Sequence, residues 1–356
     1  MPKKQTTGLV IGKFMPMHQG HELLIDFAAH HVDRLFVVVD NVPKDKYKNQ
    51  YIPAEVRMRW VKDACPKAEV FYIPRVNPQE PHEHPDFWNI WKNSLLNLLP
   101  SRPDYVFASE DYGFKLAEAL GSIFTVFDVD RYTVHISASE IRSDLSGHWE
   151  FLSRAAKPDF LLKICVGGPE STGKSTLAKQ LADHFGTVFV PEYARFYVES
   201  HNRRMKSKNE EYNLKAEDML HIARGQIALE HSLLHGAKRL LISDTDVWAT
   251  TLWSKWLFNG KCDNEIIKLA QQTQYDLYLL TKPDISWKED DVRYFPKKDD
   301  RIRFFKEYEQ ILKDNKCNYI VIDGSGHQRI ENAIKAVEKF LDDRFKYQYL
   351  IGRLQK

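Results

Sequence analysis

The sequence has few cysteines and no long apolar run. Its four cysteines, Cys65, Cys165, Cys262 and Cys317, lie far apart and show no Cys-x-x-Cys spacing, so we interpret them as reduced thiols in a reducing compartment. No apolar run approaches the ~20 residues that a membrane-spanning helix needs. The basic N-terminal residues lead into a short apolar strand rather than a signal-peptide core. We therefore expect a cytoplasmic protein that does not insert into a membrane.

A strong excess of charge is also missing. The chain has 51 lysines and arginines against 49 acidic residues, a net charge of +2, which gives no reason to expect bulk binding to nucleic acid. Its content of 43% apolar and 28% charged residues is typical of a globular protein. No internal repeat and no low-complexity tract is visible. The 356 residues suit two domains of ordinary size.

Strand-like and helix-like segments alternate in both halves of the chain. Arg34–Asp40, for example, is a continuous β-branched run of the kind found in strands covered on both faces. This alternation predicts mainly parallel sheets with right-handed crossovers. The segment around Lys157 and Pro158 has little strand pattern and is a plausible junction. We therefore predict two α/β domains, residues 1–157 and 158–356.

A loop rich in histidine and glycine follows the first apolar run. It occupies residues 12–21, with the sequence Gly-Lys-Phe-Met-Pro-Met-His-Gln-Gly-His. Gly12 and Gly20 let the backbone approach a ligand closely. His18 and His21 place two imidazoles beside the backbone N–H groups of a helix start. Such a loop suits attack on the α-phosphate of a nucleotide, which needs in-line positioning and positive charge.

A second element of the first half carries hydroxyl groups and an arginine. Residues 136–142 read Ile-Ser-Ala-Ser-Glu-Ile-Arg and follow the last apolar run of this half. The hydroxyls of Ser137 and Ser139 can open a helix. Arg142 can reach a phosphate as a permanent cation. We therefore predict that these three side chains complete the first nucleotide site.

A second phosphate-binding loop occupies residues 168–175, after the apolar run Ile164–Val166. In such a loop the backbone amides wrap the phosphates, Lys174 bridges the β- and γ-oxygens, and Ser175 binds Mg²⁺. We predict ATP binding by the residues that define this loop and by the residue after it. These are Gly168, Glu170, Ser171, Thr172, Gly173, Lys174, Ser175 and Thr176.

Carboxylates follow two strands of the second half. Asp244 and Asp246 come directly after one apolar run, at the strand end where the Mg²⁺-linked acid of such folds is expected. Glu192 follows another run and could accept the proton of an attacking hydroxyl, while Arg195 could hold the transferring phosphate. We assign Asp244 to Mg²⁺ and leave the base open between Glu192 and Asp246. We also predict that Tyr193, Arg195 and Asp246 contact the substrate.

A charged stretch near the end of the second half resembles a lid. Lys282–Arg303 is dense in charge and interrupted by prolines, and it carries Arg293, Arg301 and Arg303. In small-molecule kinases such a segment closes over ATP and excludes water. We name Arg293 as a candidate ATP ligand and leave open which of the three arginines points inward.

The first half resembles the adenylyltransferase branch of the nucleotidyltransferase superfamily, and within it the nicotinamide mononucleotide (NMN) adenylyltransferase of NadR proteins. The shared motif residues are Gly12, Phe14, Pro16, His18, Gly20 and His21, followed by Ile136, Ser137, Ser139 and Arg142. The resemblance implies that the histidines and the motif arginine bind ATP phosphates without a covalent intermediate. It also implies that Trp88 and Trp91 offer aromatic rings to the nicotinamide. One departure is Asp40, at a strand end where relatives often carry a small residue.

The second half resembles the ribosylnicotinamide kinase domain of NadR proteins. The two share the loop at 168–175, the Glu-Tyr-x-Arg-x-Tyr-Val run at 192–198 and the Asp-Thr-Asp run at 244–246. The resemblance implies a Rossmann-like nucleotidyltransferase domain followed by a P-loop kinase domain. Only about seven residues precede Gly8, so we do not expect the helix-turn-helix of some NadR proteins, nor a repressor role.

Together these features predict a bifunctional enzyme of NAD salvage that uses ATP and Mg²⁺. Ribosylnicotinamide would be phosphorylated to NMN, and NMN would then be joined to AMP from ATP, with release of pyrophosphate. One alternative is a riboflavin kinase/FAD synthetase, whose kinase lacks a loop like 168–175. Others are a class I aminoacyl-tRNA synthetase, whose second signature is missing, and a nucleotide-sensing regulator. Nothing in the sequence decides between nicotinamide and nicotinic acid, and a homo-oligomer is possible.

Overall fold

The computed structural model describes residues 5–130, 132–207, 210, 212–287 and 297–355. It divides into two compact units. The first comprises Met1–Phe160 and Phe345–Lys356, and the second Leu161–Arg344. Each unit contains a five-stranded sheet whose neighbouring strands are all parallel. This is the mainly parallel α/β architecture that the alternating pattern predicts.

The first unit is built around the strand order β3-β2-β1-β4-β5. Its strands are β1 (Thr7–Gly12), β2 (Arg34–Val39), β3 (Glu69–Tyr72), β4 (Tyr105–Ala108) and β5 (Ile123–Val126). Its helices are α1 (Gln19–His31), α2 (Lys44–Tyr47), α3 (Ala54–Ala64), α4 (Phe87–Leu98), α5 (Tyr112–Leu120), α6 (Ala138–Ser143) and α7 (Lys157–Phe160). Most residues of the central strands are buried, which explains their largely apolar sequence. Because β1 lies between β2 and β4, the order reverses at β1 and leaves a crevice at its carboxyl end.

The second unit repeats this plan with the order β10-β9-β6-β8-β7. Its strands are β6 (Leu162–Gly167), β7 (Val188–Val190), β8 (Leu240–Asp244), β9 (Leu277–Thr281) and β10 (Tyr319–Ile322). Its helices are α8 (Lys174–Phe185), α9 (Tyr193–Lys206), α10 (Ala216–Leu233), α11 (Val247–Leu257), α12 (Asn264–Gln272), α13 (Lys298–Asp314) and α14 (Gly326–Arg344). The reversal now falls at β6, so the carboxyl end of β6 opens a second crevice.

The C-terminal segment does not stay with the second unit. Its helix α15 (Tyr347–Leu354) buries Tyr347, Leu350 and Ile351, and the ring of Tyr347 stacks on Phe160 of α7 at 5.7 Å. The sequence prediction had ended the first domain at residue 157 and given all later residues to the second. In the structure, this apolar side of α15 returns the segment to the first unit.

Two further expectations concern membranes and thiols. None of the helices within the described residues is both long and apolar enough to cross a membrane. The four cysteines are free thiols, and Cys165 is fully buried in the second core.

Candidate functional sites

The first unit has a cavity of about 660 Å³ at the carboxyl end of β1. It is bordered by the loop after β1, the end of β2 and the starts of α1, α4 and α6. Of the residues predicted for the first site, those that line it are Gly12, Phe14, His18, Gly20, His21, Trp88, Trp91, Ser137, Ser139 and Arg142. Pro16 instead lies buried behind the loop. The structure therefore brings side chains more than 120 residues apart to one cavity.

The two histidines form one stacked unit at the start of α1. Their ring centres lie 3.7 Å apart with the planes at 29°, and the ring of Phe14 meets His21 edge-on at 5.0 Å. The backbone N–H of His18 donates to Nδ1 of His21 at 3.3 Å. Because Nδ1 accepts this bond, the proton of a neutral His21 sits on Nε2, where it can be donated to a phosphate oxygen. Phe14 thus has a packing role, which also requires Gly12, since a Cβ there would lie 2.7 Å from the Phe14 ring.

The element after β5 is tied directly to the histidine loop. Ser137 caps α6, accepting from the backbone N–H of Glu140 at 3.2 Å while its own N–H donates to the Glu140 carboxylate at 2.7 Å. The guanidinium of Arg142 donates to the carbonyl of Met15 at 2.5 Å and to the hydroxyl of Ser139 at 2.8 Å. Arg142 is therefore held at the edge of the cavity as a fixed positive charge.

A buried arginine that the sequence reasoning missed supports this site. Arg57 of α3 is fully buried, and its guanidinium donates to the carbonyls of Lys13 at 2.9 Å, Asp40 at 2.8 Å and Ile52 at 2.9 Å. Burial lowers the pKa of Arg57 below its ordinary value. A signal was present in the sequence. Arg57 precedes the buried Trp60 and Val61 by three and four residues, which places a charge on the apolar stripe of the helix.

The second unit has a cavity of about 290 Å³ next to the loop after β6. The predicted residues that line it are Glu170, Ser171, Gly173, Lys174, Ser175, Thr176, Glu192 and Arg195. Apolar side chains of α9, α10 and α11 form its opposite wall, namely Val198, Met219, Ile222, Ala249, Trp253 and Leu257. The cavity therefore joins a phosphate-binding side to an apolar side.

The glycine-lysine-serine loop has the strained backbone that its glycines allow. Gly168 has φ +134°, and a Cβ there would lie 2.5 Å from Oγ1 and 2.8 Å from the carbonyl oxygen of Thr281. Gly173 has φ +79° at the start of α8. The ammonium of Lys174 donates to the carbonyl of Pro169 at 2.8 Å. Thr172 lies buried behind the loop, where its hydroxyl bonds to that same carbonyl at 2.8 Å and to Oγ1 of Thr281 at 2.7 Å.

The end of β8 provides a buried carboxylate beside this loop. Asp244 is 1% exposed, and a hydrogen bond from the Ser175 hydroxyl contributes to its environment. Burial, and secondly the charge of Glu192, raise the pKa of Asp244 above its ordinary value. Its Oδ1 has no hydrogen-bond partner among the described residues. A buried carboxylate oxygen without a donor, next to a hydroxyl, is the oxygen-ligand chemistry that suits Mg²⁺. Ser175 and Asp244 therefore fit the predicted metal position.

Asp246 has a structural role that the sequence did not predict. It is fully buried. Its Oδ1 caps α11 by accepting from the N–H of Ala249 at 2.9 Å, and it also accepts from the Tyr308 hydroxyl at 2.7 Å. Burial raises the pKa of Asp246 to about 6. Its Oδ1 thus serves the fold, while its Oδ2 is buried without a hydrogen-bond partner among the described residues. Of the two candidate bases, Glu192 is the one that lines the cavity. The sequence could not separate Asp244 from Asp246 because both follow the same strand.

Tyr193 also faces away from the cavity. Its ring packs against Gly225 of α10, where an added Cβ would lie 2.0 Å from the ring. Its backbone N–H donates to the Gln226 side chain at 2.8 Å. Arg195 lines the cavity as predicted and also pairs with Glu199 at 3.4 Å. Tyr193 thus packs between α9 and α10 and is not among the residues that line the cavity, and its contact with the substrate stays a prediction.

The predicted lid is shorter than expected at its C-terminal end. Arg301 and Arg303 belong to α13, which begins at Lys298. Arg301 is 5% exposed and donates to the carbonyl of Ile285 at 3.1 Å, while Arg303 pairs with Glu307 at 2.8 Å on the surface. Arg293 lies outside the described residues.

A second buried arginine, also missed from the sequence, supports the glycine-lysine-serine loop. Arg329 of α14 is 4% exposed. Its guanidinium donates to the carbonyl of Thr172 within the loop, to the carbonyl of Gly324 at 2.7 Å and to the carboxylate of Asp284. Its position again carried a signal, because the buried residues of α14 are Arg329 and then Ala333 and Val337 at intervals of four.

Comparisons with known proteins agree with this two-site arrangement. A Cytidylyltransferase-like family model matches residues 9–144, and an AAA domain model matches residues 163–329. The trifunctional NAD biosynthesis/regulator protein NadR of Escherichia coli (strain K12) is 26% identical over 354 residues, which is 96% of this chain and 85% of that protein. The chain is a homologue of NadR. This result confirms the family resemblance inferred from the motifs.

Two further similarities extend the comparison. The nicotinamide-nucleotide adenylyltransferase of Thermococcus kodakarensis is 26% identical over 167 residues, covering 44% of this chain and 82% of that enzyme. A crystal structure of NadR protein in complex with NAD and AMP-PNP superposes with a TM-score of 0.67 at 23% identity, covering 94% of this chain and 96% of the other. The predicted fold of two α/β units is thereby confirmed.

Proposed function

We propose that this chain catalyses two consecutive ATP-dependent steps of NAD salvage. The second unit phosphorylates ribosylnicotinamide to NMN, and the first unit transfers the adenylyl group of ATP to NMN. The observation that carries the proposal is that each unit places its own phosphate-binding loop at its own cavity. NadR and nicotinamide-nucleotide adenylyltransferase among the relatives support the choice of substrates.

In the kinase step, the hydroxyl of ribosylnicotinamide attacks the γ-phosphorus of ATP. A new P–O bond forms, the bond to the ADP oxygen breaks, and Glu192 accepts the hydroxyl proton. Lys174 and the loop amides neutralise the phosphate oxygens, and Arg195 faces the transferring group. Ser175 and Asp244 would hold Mg²⁺, which when bound neutralises charge on the β- and γ-phosphates. The apolar wall around Trp253 suits the aromatic ring of the nucleoside.

In the adenylyltransferase step, a phosphate oxygen of NMN attacks the α-phosphorus of ATP and pyrophosphate leaves. Both reactants already carry the reacting groups, so the protein supplies position and positive charge. His18, His21 and Arg142 line the cavity as the source of that charge. The cavity, at about 660 Å³, is more than twice the volume of the other one at about 290 Å³, as expected if it holds two nucleotides at once.

The two activities can be separated by one substitution in each loop. The full chain is incubated with ATP, Mg²⁺ and ribosylnicotinamide, and the products are followed by chromatography. Lys174→Ala should prevent NMN formation yet still make dinucleotide when NMN is supplied. His21→Ala should accumulate NMN without dinucleotide. Formation of NMN by Lys174→Ala at the wild-type rate would refute the kinase assignment, and conversion of riboflavin in place of ribosylnicotinamide would refute the substrate assignment.

A further inference from the structure

The first cavity contains a buried carboxylate that the adenylyl transfer described above does not use. Asp40, at the end of β2, is 3% exposed and lines the cavity. Its Oδ1 has no hydrogen-bond partner within the part of the chain that the structure describes. Burial is the main cause that raises the pKa of Asp40, to about 6, and a hydrogen bond from the backbone N–H of Asn41 is among the causes that lower it. A buried carboxyl oxygen without a donor is costly for folding, and a bound ligand would be one compensation.

A second acceptor oxygen lies next to Asp40. The amide N–H of Gln79 donates to the Asp40 carboxyl, which lowers the pKa of that group, and the same nitrogen donates to the carbonyl of Asn77 at 3.0 Å. That bond fixes the amide orientation and leaves Oε1 of Gln79 as an acceptor, buried and without a donor in the described structure. Two neighbouring acceptor oxygens therefore line the same part of the cavity.

The sheet order places these acceptors on the side of the cavity away from the serine-arginine element. β2 and β3 lie to one side of β1, and β4 and β5 lie to the other. Asp40 follows β2, Gln79 follows β3, and Trp91 of α4 donates its ring N–H to the carbonyl of Pro78 at 2.9 Å. Arg142 and its helix follow β5. One side of the cavity thus combines an indole surface with acceptor oxygens, while the other has the phosphate-binding cation.

The nearby cations do not neutralise this carboxylate fully. Nε and Nη1 of the Arg57 guanidinium donate to three backbone carbonyls, including that of Asp40, while its Nη2 is buried without a hydrogen-bond partner among the described residues. The ammonium of Lys13 lies 5.9 Å from the centre of the Tyr47 ring. Both positive charges lower the pKa of Asp40, but less than burial raises it. A ligand group that approaches Asp40 therefore meets negative potential and two acceptors.

We propose that Asp40, supported by Gln79, makes the adenylyltransferase unit select a pyridine mononucleotide with an uncharged carboxamide over its carboxylate analogue. A carboxamide brings two N–H donors to the two acceptors, next to a positively charged ring. A carboxylate brings no donor and a second negative charge into a poorly hydrated site. This inference rests on the proposed function and assigns a specificity-determining residue to it.

The test compares NMN with nicotinic acid mononucleotide as the substrate of the full chain. Pyrophosphate release is measured at fixed ATP and Mg²⁺, and kcat/KM is determined for each mononucleotide. The wild type should prefer NMN. Asp40→Asn keeps the size and removes the charge, so the preference ratio should fall by about tenfold or more, with activity on the acid increasing. Asp40→Ser is measured as a second variant in case the amide folds poorly.

The matched control is Glu80→Gln, because Glu80 borders the same cavity but is exposed to water. Its ratio should remain that of the wild type. An equal loss on both substrates in the Asp40 variants, or a wild type that prefers the acid, would overturn the inference. Failure of the wild type to use either mononucleotide would instead count against the proposed function, so the two failures are distinguishable.

Discussion

The two phosphate-binding loops share a frame and differ in the groups that they present. Both follow the strand at which the sheet order reverses, and both lead into a helix. The loop at 12–21 presents stacked imidazoles, and an arginine from a distant helix donates to its Met15 carbonyl. The loop at 168–175 presents backbone amides, a lysine and a hydroxyl beside a buried carboxylate. The comparison teaches that the frame fixes where a phosphate lies, whereas the side chains decide which phosphorus can react.

The two loops can also be compared through the buried side chains that support them. In each unit a buried arginine fastens the loop by donating to backbone carbonyls, Arg57 in the first and Arg329 in the second. Arg329 also forms an ion pair with the carboxylate of Asp284. A guanidinium has five donors in a rigid fork. One guanidinium can therefore donate to carbonyls of several chain segments at the end of a sheet.

The largest expected effect follows from Asp244, the buried carboxylate beside the second loop. Asp244→Asn removes the charge at the predicted Mg²⁺ position, and we expect the kinase kcat to fall by about 100-fold or more. Adenylyl transfer from ATP to supplied NMN should stay within about twofold of the wild type, because the change lies in the other unit. Separate steady-state assays of the two steps check this. An equal fall in the rates of both steps would contradict the assignment of the two steps to separate units.

Asp246 provides the matched control two residues away, with a different effect. Its folded-state pKa is raised by burial from 3.8 to about 6, so folding favours the protonated form. The stability of wild type relative to Asp246→Asn should therefore be greatest below about pH 4 and decline by roughly 3 kcal/mol as the pH rises through about 6. Urea unfolding of both proteins between pH 4 and 7.5 measures this difference. Kinase kcat should change little, and a loss comparable to that of Asp244→Asn would restore Asp246 as a catalytic candidate.

The two arginines allow the loops to be weakened one at a time. Lysine keeps the charge but cannot replace the guanidinium fork. We expect Arg329→Lys to raise the KM for ATP in the kinase step by about tenfold with a smaller change in kcat, and Arg57→Lys to do the same only in the adenylyltransferase step. The KM values of both steps in both variants provide the measurement. If each variant affected both steps equally, general destabilisation would explain the result better than loop positioning.

The sequence predicted most of the fold and the loops, because both depend on local patterns. A β-branched run such as Val37–Val39 and glycines at fixed spacing act within a few residues, so their structural consequences can be read directly. The roles of Arg57 and Arg329 could not be read in this way. Their partners are carbonyls up to 157 residues away, and a carbonyl has no signature in the sequence. Only a charge on an apolar helix stripe hinted at them.

The prediction was ambiguous where two residues of the same type, close together in the sequence, were equally good candidates for one role. Asp244 ends β8 and Asp246 follows it by two residues, a spacing that would place both side chains on one face of a regular strand, but the turn at Thr245, with φ +72°, redirects the chain. The second carboxylate consequently caps α11. Asp40 was noticed only as a departure from relatives, because its burial and its missing donor depend on the packing of β2, α3 and the segment before α4.

The smallest expected effect concerns Tyr193. The motif predicted it as a substrate ligand, but it is not among the residues that line the second cavity. Its ring packs on Gly225, so Tyr193→Phe removes only the hydroxyl, and the kinase KM for ribosylnicotinamide should change by less than about twofold. Gly225→Ala is the control variant, because it alters the same contact between Tyr193 and Gly225 from the other side. The added Cβ would overlap the ring, and we expect it to destabilise the second unit by about 1 to 3 kcal/mol in urea unfolding. A large KM increase in Tyr193→Phe with unchanged stability would mean that the ring moves into the cavity when substrate binds. The contact between α9 and α10 would then be part of the kinase site. The two sites would differ not only in their loops but also in that a side chain of the second site moves when the substrate binds.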